Sequence, residues 1–304
     1  MQDEQAVELS ELLAEVRRID VQAKRLVTDI MAGGYTSAFR GSGLEFDGVR
    51  EYVEGDARRH VDWNVTARVG RPFVKTFVDE RDLTVLFLLD CSPSMAGGFG
   101  HWSARQMAAR ICACLAFSAV RNNDKVGFIA FGEDVDSYVP PKKGAGHALR
   151  IVRDCLARPA SKGQTDFDAA LRFASRVVRR HAVVFLVSDF LAEGWERPLA
   201  LCARRHDLVA VRMLAPELEA PDTGLMAWRD PESDAQGIVD WSSPRVRAAY
   251  AERVAAEEAR VVDALQRARV DRLDVPMPRA YDADAIARPI LRFFRMRAQR
   301  GAKR

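Results

Sequence analysis

Apolar runs alternate with amphipathic helical stretches between residues 82 and 213, and this alternation constrains the fold more than any other feature. The runs predict strands at 83–89, 125–131, 182–188 and 207–213, with a short edge strand at 135–139. The intervening stretches predict helices at 103–121, 145–158, 166–180 and 194–205. Such alternation is typical of βαβ units. The fold class predicted is α/β, with a doubly wound, mostly parallel sheet and helices on both of its faces.

The first of these strands ends in a polar loop that predicts a ligand site. After the unbroken apolar run Val85–Leu89 come one carboxylate and two hydroxyls, spaced Asp90-x-Ser92-x-Ser94. Ligand sites of doubly wound folds lie at the carboxyl ends of strands. Oxygen ligands of this kind suit a hard divalent cation.

Two further polar clusters fall in loops beside predicted strands. Gly163-Gln-Thr165-Asp166 opens a helix, and the apolar run from Val183 ends in Ser188-Asp189. Each cluster has an alternative role. Asp90 and the serines could cap the next helix, Thr165 could be a helix N-cap, and Asp189 could be an ordinary loop carboxylate. The coincidence of all three clusters at one sheet edge favours a Mg²⁺ or Mn²⁺ site.

The pattern of these residues resembles the metal-ion-dependent adhesion site of von Willebrand factor A domains. The segment before it resembles a narrower bacterial family, domain of unknown function 58. That resemblance covers about residues 33–295 and is carried by Gly41-Ser-Gly43-Leu-Glu45-Phe46, Val49-Arg50-Glu51-Tyr52, Gly55-Asp56, Arg58, Asp62-Trp63, Ala67-Arg68 and Lys75.

The resemblance implies a non-enzymatic binding module. Ser92, Ser94 and Thr165 would ligate Mg²⁺ or Mn²⁺ directly, whereas Asp90 and Asp189 would act through bound water or hold the hydroxyls. One coordination position would be left for an acidic residue of a partner. The resemblance also implies the partners, a MoxR-type AAA+ ATPase and a protein client, with the chain acting as an adaptor or co-chaperone.

An enzyme is the alternative interpretation: a metal-dependent, phosphatase-like hydrolase with Asp90 as nucleophile. The haloacid-dehalogenase pattern requires a second Asp two positions later, where this chain has Ser92. No histidine pair shows metal-ligand spacing, and no glycine-rich stretch ends in the Gly-Lys-Ser/Thr of a phosphate loop. We therefore expect no catalytic residues.

Composition and charge bear on two further classes of function, nucleic-acid binding and membrane insertion. The net charge of +3 among 304 residues gives no argument for nucleic acid. No window approaches the length of a membrane span, so we expect no stable membrane insertion and a cytoplasmic protein.

Four segments are predicted along the chain. They are an N-terminal helix (1–32), a β-rich family-specific segment (33–80), the von Willebrand factor A-like domain (81–295) and a basic tail (296–304). The von Willebrand factor A-like domain is predicted to close with a helix at 282–294, and the basic residues after this helix are expected to be solvated. The N-terminal helix has heptad spacing, which allows either packing on its own domain or a coiled-coil dimer. The charged residues of the β-rich segment could form a partner-binding face or an internal network of ion pairs.

Overall fold

A computed structural model describes residues 2–32, 44–57, 60–79, 83–98, 100–161, 163, 165–222, 224–282 and 284–302. Within them the helices are α1 (Gln2–Ala32), α2 (Trp63–Val69), α3 (Pro93–Ala96), α4 (Ala104–Arg121), α5 (Ala145–Ala157), α6 (Phe167–Val177), α7 (Glu196–Ala203), α8 (Pro244–Arg267) and α9 (Ala287–Ala302). The strands are β1 (Leu44–Glu51), β2 (Phe73–Asp79), β3 (Thr84–Asp90), β4 (Lys125–Phe131), β5 (Val135–Lys142), β6 (Val183–Ser188), β7 (Asp207–Leu214), β8 (Leu225–Arg229), β9 (Gln236–Asp240) and β10 (Asp271–Pro276).

A six-stranded sheet in the order β10-β7-β6-β3-β4-β5 forms the centre of the larger unit. All neighbouring strands are parallel except β5, which pairs antiparallel with β4 at the edge. The chain leaves β3 for β4 on one side and later returns to β6 on the other side. The carboxyl ends of β3 and β6 therefore flank the point where the winding direction reverses, which is where doubly wound folds bind ligands.

Helices cover both faces of this sheet, so its four central strands β3, β4, β6 and β7 are almost entirely buried. Phe87 and Phe185 stack across β3 and β6 at 5.5 Å between ring centroids. On one face, α6, α7 and α8 share a core with the strands through Leu171, Leu199 and Leu265. The opposite face is covered by α4, α5 and α9, with α1 packed outside them. The predicted α/β fold class is confirmed.

The N-terminal helix α1 packs on its own domain through the buried side chains Val16, Ile19, Ala23 and Val27. These four positions repeat at steps of three and four residues, so they form one stripe along the helix. The heptad spacing in the sequence is therefore used for intramolecular packing on α4 and α5.

The final helix differs from the sequence prediction, which placed a closing helix at 282–294 and a basic tail after it. Helix α9 continues to Ala302. Arg297 stabilises this extension, because it forms ion pairs with Asp207 at 2.8 Å and with Asp271 at 3.0 Å. Basic residues expected to be solvated thus bind acidic residues of β7 and β10.

Contacts divide the chain into two compact units, of which the smaller comprises Arg40–Leu83. Within it, β1 and β2 pair antiparallel, and α2 begins at the N-cap Asp62. Arg50 forms a two-pronged ion pair with Asp56, which lowers the pKa of Asp56 to about 2 through hydrogen bonding. Arg50 and Asp56 thus pair with each other, as expected if the charged residues of this segment form an internal network of ion pairs. Arg58 lies outside the described residues.

No helix among the described residues is long and apolar enough to cross a bilayer.

Candidate functional site

The end of β3 and the turn that follows it hold three of the five predicted site residues, which are linked by hydrogen bonds. Asp90 is 1% exposed, and its Oδ1 accepts a hydrogen bond from the backbone N–H of Ser92 at 2.8 Å. The hydroxyls of Ser92 and Ser94 are 3.0 Å apart. Ser92 is the N-cap of α3, yet its side chain makes no capping hydrogen bond. The capping alternative for Ser92 is therefore wrong, and its hydroxyl is available to a ligand.

Asp189 follows β6 directly and completes the acidic part of the cluster. Its carboxylate accepts a hydrogen bond from the backbone N–H of Leu191 at 3.1 Å. Burial raises the pKa of Asp189. Burial, followed by the charge of Asp189, also raises the pKa of Asp90 to about 6. Two carboxylates that repel each other in a buried setting favour a cation between them.

Ser188, the last residue of β6, joins the two strand ends. Its hydroxyl donates to Asp90 Oδ2 at 2.6 Å and accepts from the backbone N–H of Phe190 at 3.0 Å. Phe190 is fully buried with a φ of 60°, a left-handed conformation that is costly for a bulky side chain. The hydrogen bond and the packing of its ring hold Phe190 in this conformation, which fixes the direction of Asp189.

An aromatic row beneath the cluster ties the Asp189 loop to the start of α6. The Phe190 ring stacks on Phe167 at 6.0 Å and meets Trp195 edge-on at 5.2 Å, while Phe131 meets Phe167 at 5.4 Å. Phe167 is the first residue of α6 and lies two positions after Thr165. The same packing therefore positions both loops.

The loop that carries Thr165 is fastened to its neighbours on both sides of this residue. The carbonyl of Cys91 accepts from the backbone N–H of Ser161 at 2.8 Å and from its hydroxyl at 3.2 Å. The backbone N–H of Asp166 donates to the carbonyl of Gly132 at 2.7 Å. A Cβ at Gly132 would lie 2.1 Å from Ser161 Oγ, so only glycine permits this close approach.

Thr165 itself is 8% exposed, and its hydroxyl has no hydrogen-bond partner among the described residues, which omit its neighbours Lys162 and Gln164. The N-cap of α6 is Asp166, whose carboxylate accepts from the backbone N–H of Ala169 at 3.0 Å. The alternative role of Thr165 as the N-cap is therefore wrong. Burying a hydroxyl without a hydrogen-bond partner costs free energy, unless a ligand supplies the missing partner.

Glu232 is a functional candidate that the sequence did not indicate. It lies in the turn between β8 and β9 and is half-buried. Burial and then the charge of Asp189 raise the pKa of Glu232. The sequence of this hairpin, about forty residues after Asp189, contains no motif that indicates a functional site. Only the tertiary structure could therefore identify this carboxylate as a candidate. Ser188 was missed as well, because a serine at a strand end has no distinctive pattern.

The donor set of this site consists of hydroxyls and carboxylates. Within the described part of the chain, no group of three or more His, Cys, Asp or Glu residues is arranged to hold a metal. The five cysteines are free and buried, and burial raises the pKa of Cys91, inside the site loop, to about 12. Soft-metal chemistry is not favoured here, whereas hard oxygen-seeking cations fit the donors.

Fold and site together define an α/β domain with a polar candidate site at the switch point of a parallel sheet. The chain belongs to the family described as protein of unknown function DUF58, whose model matches residues 48–260. It is 28% identical over 281 residues to the uncharacterized protein Rv1480 of Mycobacterium tuberculosis, covering 90% of this chain and 88% of that protein. It is 29% identical over 170 residues to the uncharacterized protein MAV169 of Mycobacterium avium, covering 54% and 95%.

Solved structures with a similar arrangement include a conserved hypothetical protein, BatB, from Bacteroides thetaiotaomicron. The match has 17% identity and a TM-score of 0.44, and it covers 73% of this chain and 100% of that one. The SpRpn10 VWA domain matches with 11% identity and a TM-score of 0.39, covering 68% and 93%. The fold class of this chain is read from its own strand order.

Proposed function

We propose that this chain is a non-enzymatic protein-binding module that holds Mg²⁺ or Mn²⁺ with Asp90, Ser92, Ser94, Thr165 and Asp189. Through this ion it would bind an acidic residue of a partner. The observation that carries the proposal is the buried hydroxyl of Thr165, which lacks a described partner in a loop fastened to the Asp90–Ser94 loop. A divalent cation would bind the oxygen of this hydroxyl and would reduce the repulsion between the carboxylates of Asp90 and Asp189.

The roles of the five residues follow from their contacts. Ser92 and Ser94 have hydroxyls 3.0 Å apart that are not used for capping, so they and Thr165 are suited to direct ligation. Asp90 already accepts hydrogen bonds from Ser92 N–H and the Ser188 hydroxyl. It is therefore suited to orient the hydroxyls or a bound water. Asp189 directly follows β6, which pairs in parallel with β3, so it lies at the same edge of the sheet as these residues.

Such a donor set leaves the ion short of negative charge, because hydroxyls and water supply most of its ligands. When bound, the ion would act as a Lewis acid that attracts a carboxylate. The protein's own contribution is to hold the donors rigidly and to keep one face of the ion open. This arrangement suits ion-bridged recognition of an acidic side chain.

Hydrolysis with Asp90 as nucleophile has little support from the geometry. The Asp90 side chain is almost completely buried, and both of its oxygens accept short hydrogen bonds. A nucleophile must approach its substrate and have a general acid or base nearby. None of the five histidines is among the residues that contact Asp90 in the described structure.

The partner class comes from the family resemblance. We propose that the acidic residue belongs to a MoxR-type AAA+ ATPase or to a protein client delivered to it, so that this chain acts as an adaptor or co-chaperone in the cytoplasm. A module that recognises one carboxylate through an ion gains its specificity from the surrounding surface.

The test is binding of the purified MoxR-type ATPase to the immobilised chain in Mg²⁺ and in EDTA. We expect EDTA and Asp189→Ala each to weaken binding by about tenfold or more, since the ion contact is lost. Asp240→Ala, which changes another strand-end Asp that accepts from the backbone N–H two residues later, is the matched control and should bind normally. Equal binding in Mg²⁺ and EDTA would refute ion-bridged recognition.

A further inference from the structure

A cavity that the proposed function does not use lies between α1 and the N-terminal end of α4. Its volume is about 330 Å³, which is within the range of small-molecule sites. Helix α1 lines it with Glu15, Arg18 and Gln22, and α4 with the segment before it contributes Trp102 and Arg110. These residues all belong to the larger of the two compact units.

The α4 side of the cavity is fixed by hydrogen bonds that need no ligand. The backbone N–H of His101 donates to the carbonyl of Pro278 at 2.9 Å. Ser103 and Gln106 form a capping box at the start of α4. In it, the backbone N–H of Gln106 donates to the Ser103 hydroxyl at 3.2 Å, and the backbone N–H of Ser103 donates to Gln106 Oε1 at 3.1 Å. This wall is therefore preformed, as the walls of small-molecule sites usually are.

Three aromatic side chains form another part of the lining. The His101 ring meets Trp102 at 4.9 Å and Tyr281 at 5.4 Å between centroids, and Trp102 meets Tyr281 at 5.8 Å. Trp102 is buried, whereas His101 and Tyr281 are exposed. The cavity thus has an indole at its buried end and two aromatic rings at its mouth, a lining that favours an aromatic ring in the ligand.

Two buried polar atoms of the lining residues lack a hydrogen-bond partner in the described part of the chain. They are Nε of Arg110, which is a donor, and Oε1 of Gln22, which is an acceptor. Arg110 is 4% exposed, and its other two nitrogens donate to the Gln106 carbonyl and to Glu15. Unpartnered buried polar atoms cost free energy. A ligand that accepts from Arg110 and donates to Gln22 would recover both hydrogen bonds.

The charges of the lining favour a neutral ligand. Arg110 is paired with Glu15, and the mostly exposed Arg18 pairs with the same carboxylate at 3.4 Å. A charged ligand would find these counter-charges already paired, so its burial would be costly. An amide is a neutral group that carries an acceptor and a donor side by side.

We propose that this cavity binds a small neutral molecule that carries an amide group on an aromatic ring. The amide carbonyl accepts from Arg110 Nε, and the amide N–H donates to Gln22 Oε1. The ring packs against Trp102 and Tyr281. This inference goes beyond the proposed function, because the second site requires neither the ion nor the acidic partner.

The first test titrates the purified chain with benzamide by saturation-transfer NMR, in EDTA so that no divalent ion contributes. Benzamide should bind saturably. Benzoate and benzylamine match it in size but are charged at neutral pH, and each should bind at least about fivefold more weakly. Absence of saturable benzamide binding, or a charged probe that binds as tightly as benzamide, would overturn the inference.

The second test locates the benzamide with variants of the lining. Gln22→Leu keeps the size of the side chain and removes the acceptor, so it should weaken benzamide binding at least about fivefold. Tyr281→Ala changes an exposed ring at the mouth and should weaken binding about threefold. Gln266→Leu, at an exposed position of α8, is the matched control and should bind as wild type does. Far-UV circular dichroism checks that each variant is folded. Wild-type affinity in either lining variant would mean that benzamide binds elsewhere and would overturn the inference.

Discussion

Ser188 connects the two strand ends of the site through a single hydroxyl. It donates to Asp90 and accepts from Phe190, so it sets the rotamer of one acidic residue and the backbone that precedes the next loop. Groups that orient ligands in this way affect binding almost as strongly as the ligands do.

Ser188→Ala should therefore weaken Mn²⁺ binding by about tenfold. It should also lower the free energy of unfolding by about 1–2 kcal/mol, because Asp90 and Phe190 N–H each lose a partner. The matched control is Ser118→Ala on α4, which removes a buried hydroxyl that donates to the carbonyl of Cys114 at 2.7 Å. The control should lose stability but keep the Mn²⁺ affinity of wild type. Denaturant titration measures the stability, and calorimetry measures the affinity. Equal ion affinity in wild type and Ser188→Ala would contradict the orienting role.

Individual residues of the site differ in how far the sequence could predict them. Asp90, Ser92 and Ser94 lie within five positions of each other after a buried strand, so local pattern was enough. Thr165 and Asp189 required the inference that strand ends meet at one sheet edge. Glu232 could not be predicted, because its position depends on how a hairpin packs, and no local period encodes that.

At the scale of elements, α1 is held to the domain by a buried ion pair as well as by its apolar stripe. Arg110 on α4 is 4% exposed, donates to Glu15 of α1 and to the carbonyl of Gln106, and lies 4.4 Å from the Trp102 ring. Burial lowers the pKa of Arg110, although Glu15 opposes this shift. Removing one partner of such a pair leaves an unpaired buried charge.

Glu15→Ala should lower the free energy of unfolding by about 3 kcal/mol for that reason. Arg18→Ala is the control, because Arg18 is 73% exposed and pairs with the same Glu15 at 3.4 Å. Loss of this surface pair should cost less than about 0.5 kcal/mol. Urea titration of both variants measures the difference. If the two variants lost the same stability, the buried pair would not hold α1 in place.

The boundaries of elements were less predictable than their types. The prediction ended the last helix at residue 294 because the sequence then becomes basic and loses its apolar pattern. The helix continues to Ala302, since Arg297 pairs with Asp207 and Asp271 from two strands. Likewise, α2 was not predicted, because it is short and depends on its cap, Asp62. Long-range ion pairs and helix caps determine where such helices begin and end.

For the molecule as a whole, the alternation of apolar runs and helical stretches was enough to predict the doubly wound sheet. Parallel strands buried on both faces leave few other arrangements.

His206 has a different global consequence. It is 3% exposed, both ring nitrogens lack a hydrogen-bond partner among the described residues, and burial lowers its pKa from 6.5 to about 4.

The pKa of His206 predicts how stability depends on pH. Above about pH 6.5 the ring is neutral in both states, and its contribution is fully present. As the pH falls from 6.5 to about 4, the unfolded chain binds a proton that the folded protein does not, so the free energy of unfolding falls by about 2 kcal/mol. His206→Leu should lack this part of the decline, whereas His101→Asn, at an exposed ring, should keep it. Thermal unfolding at several pH values checks this, and parallel profiles for wild type and His206→Leu would contradict it.

The most direct test of the central claim is Mn²⁺ titration of Thr165→Val by calorimetry, with Thr165→Ser as the control. Valine keeps the shape and removes the hydroxyl. Without metal, the variant should be as stable as wild type or more stable, because that hydroxyl has no described partner. The account predicts that wild type and Thr165→Ser bind one Mn²⁺, and that Thr165→Val binds it at least about tenfold more weakly. Wild-type Mn²⁺ affinity in Thr165→Val would contradict the account.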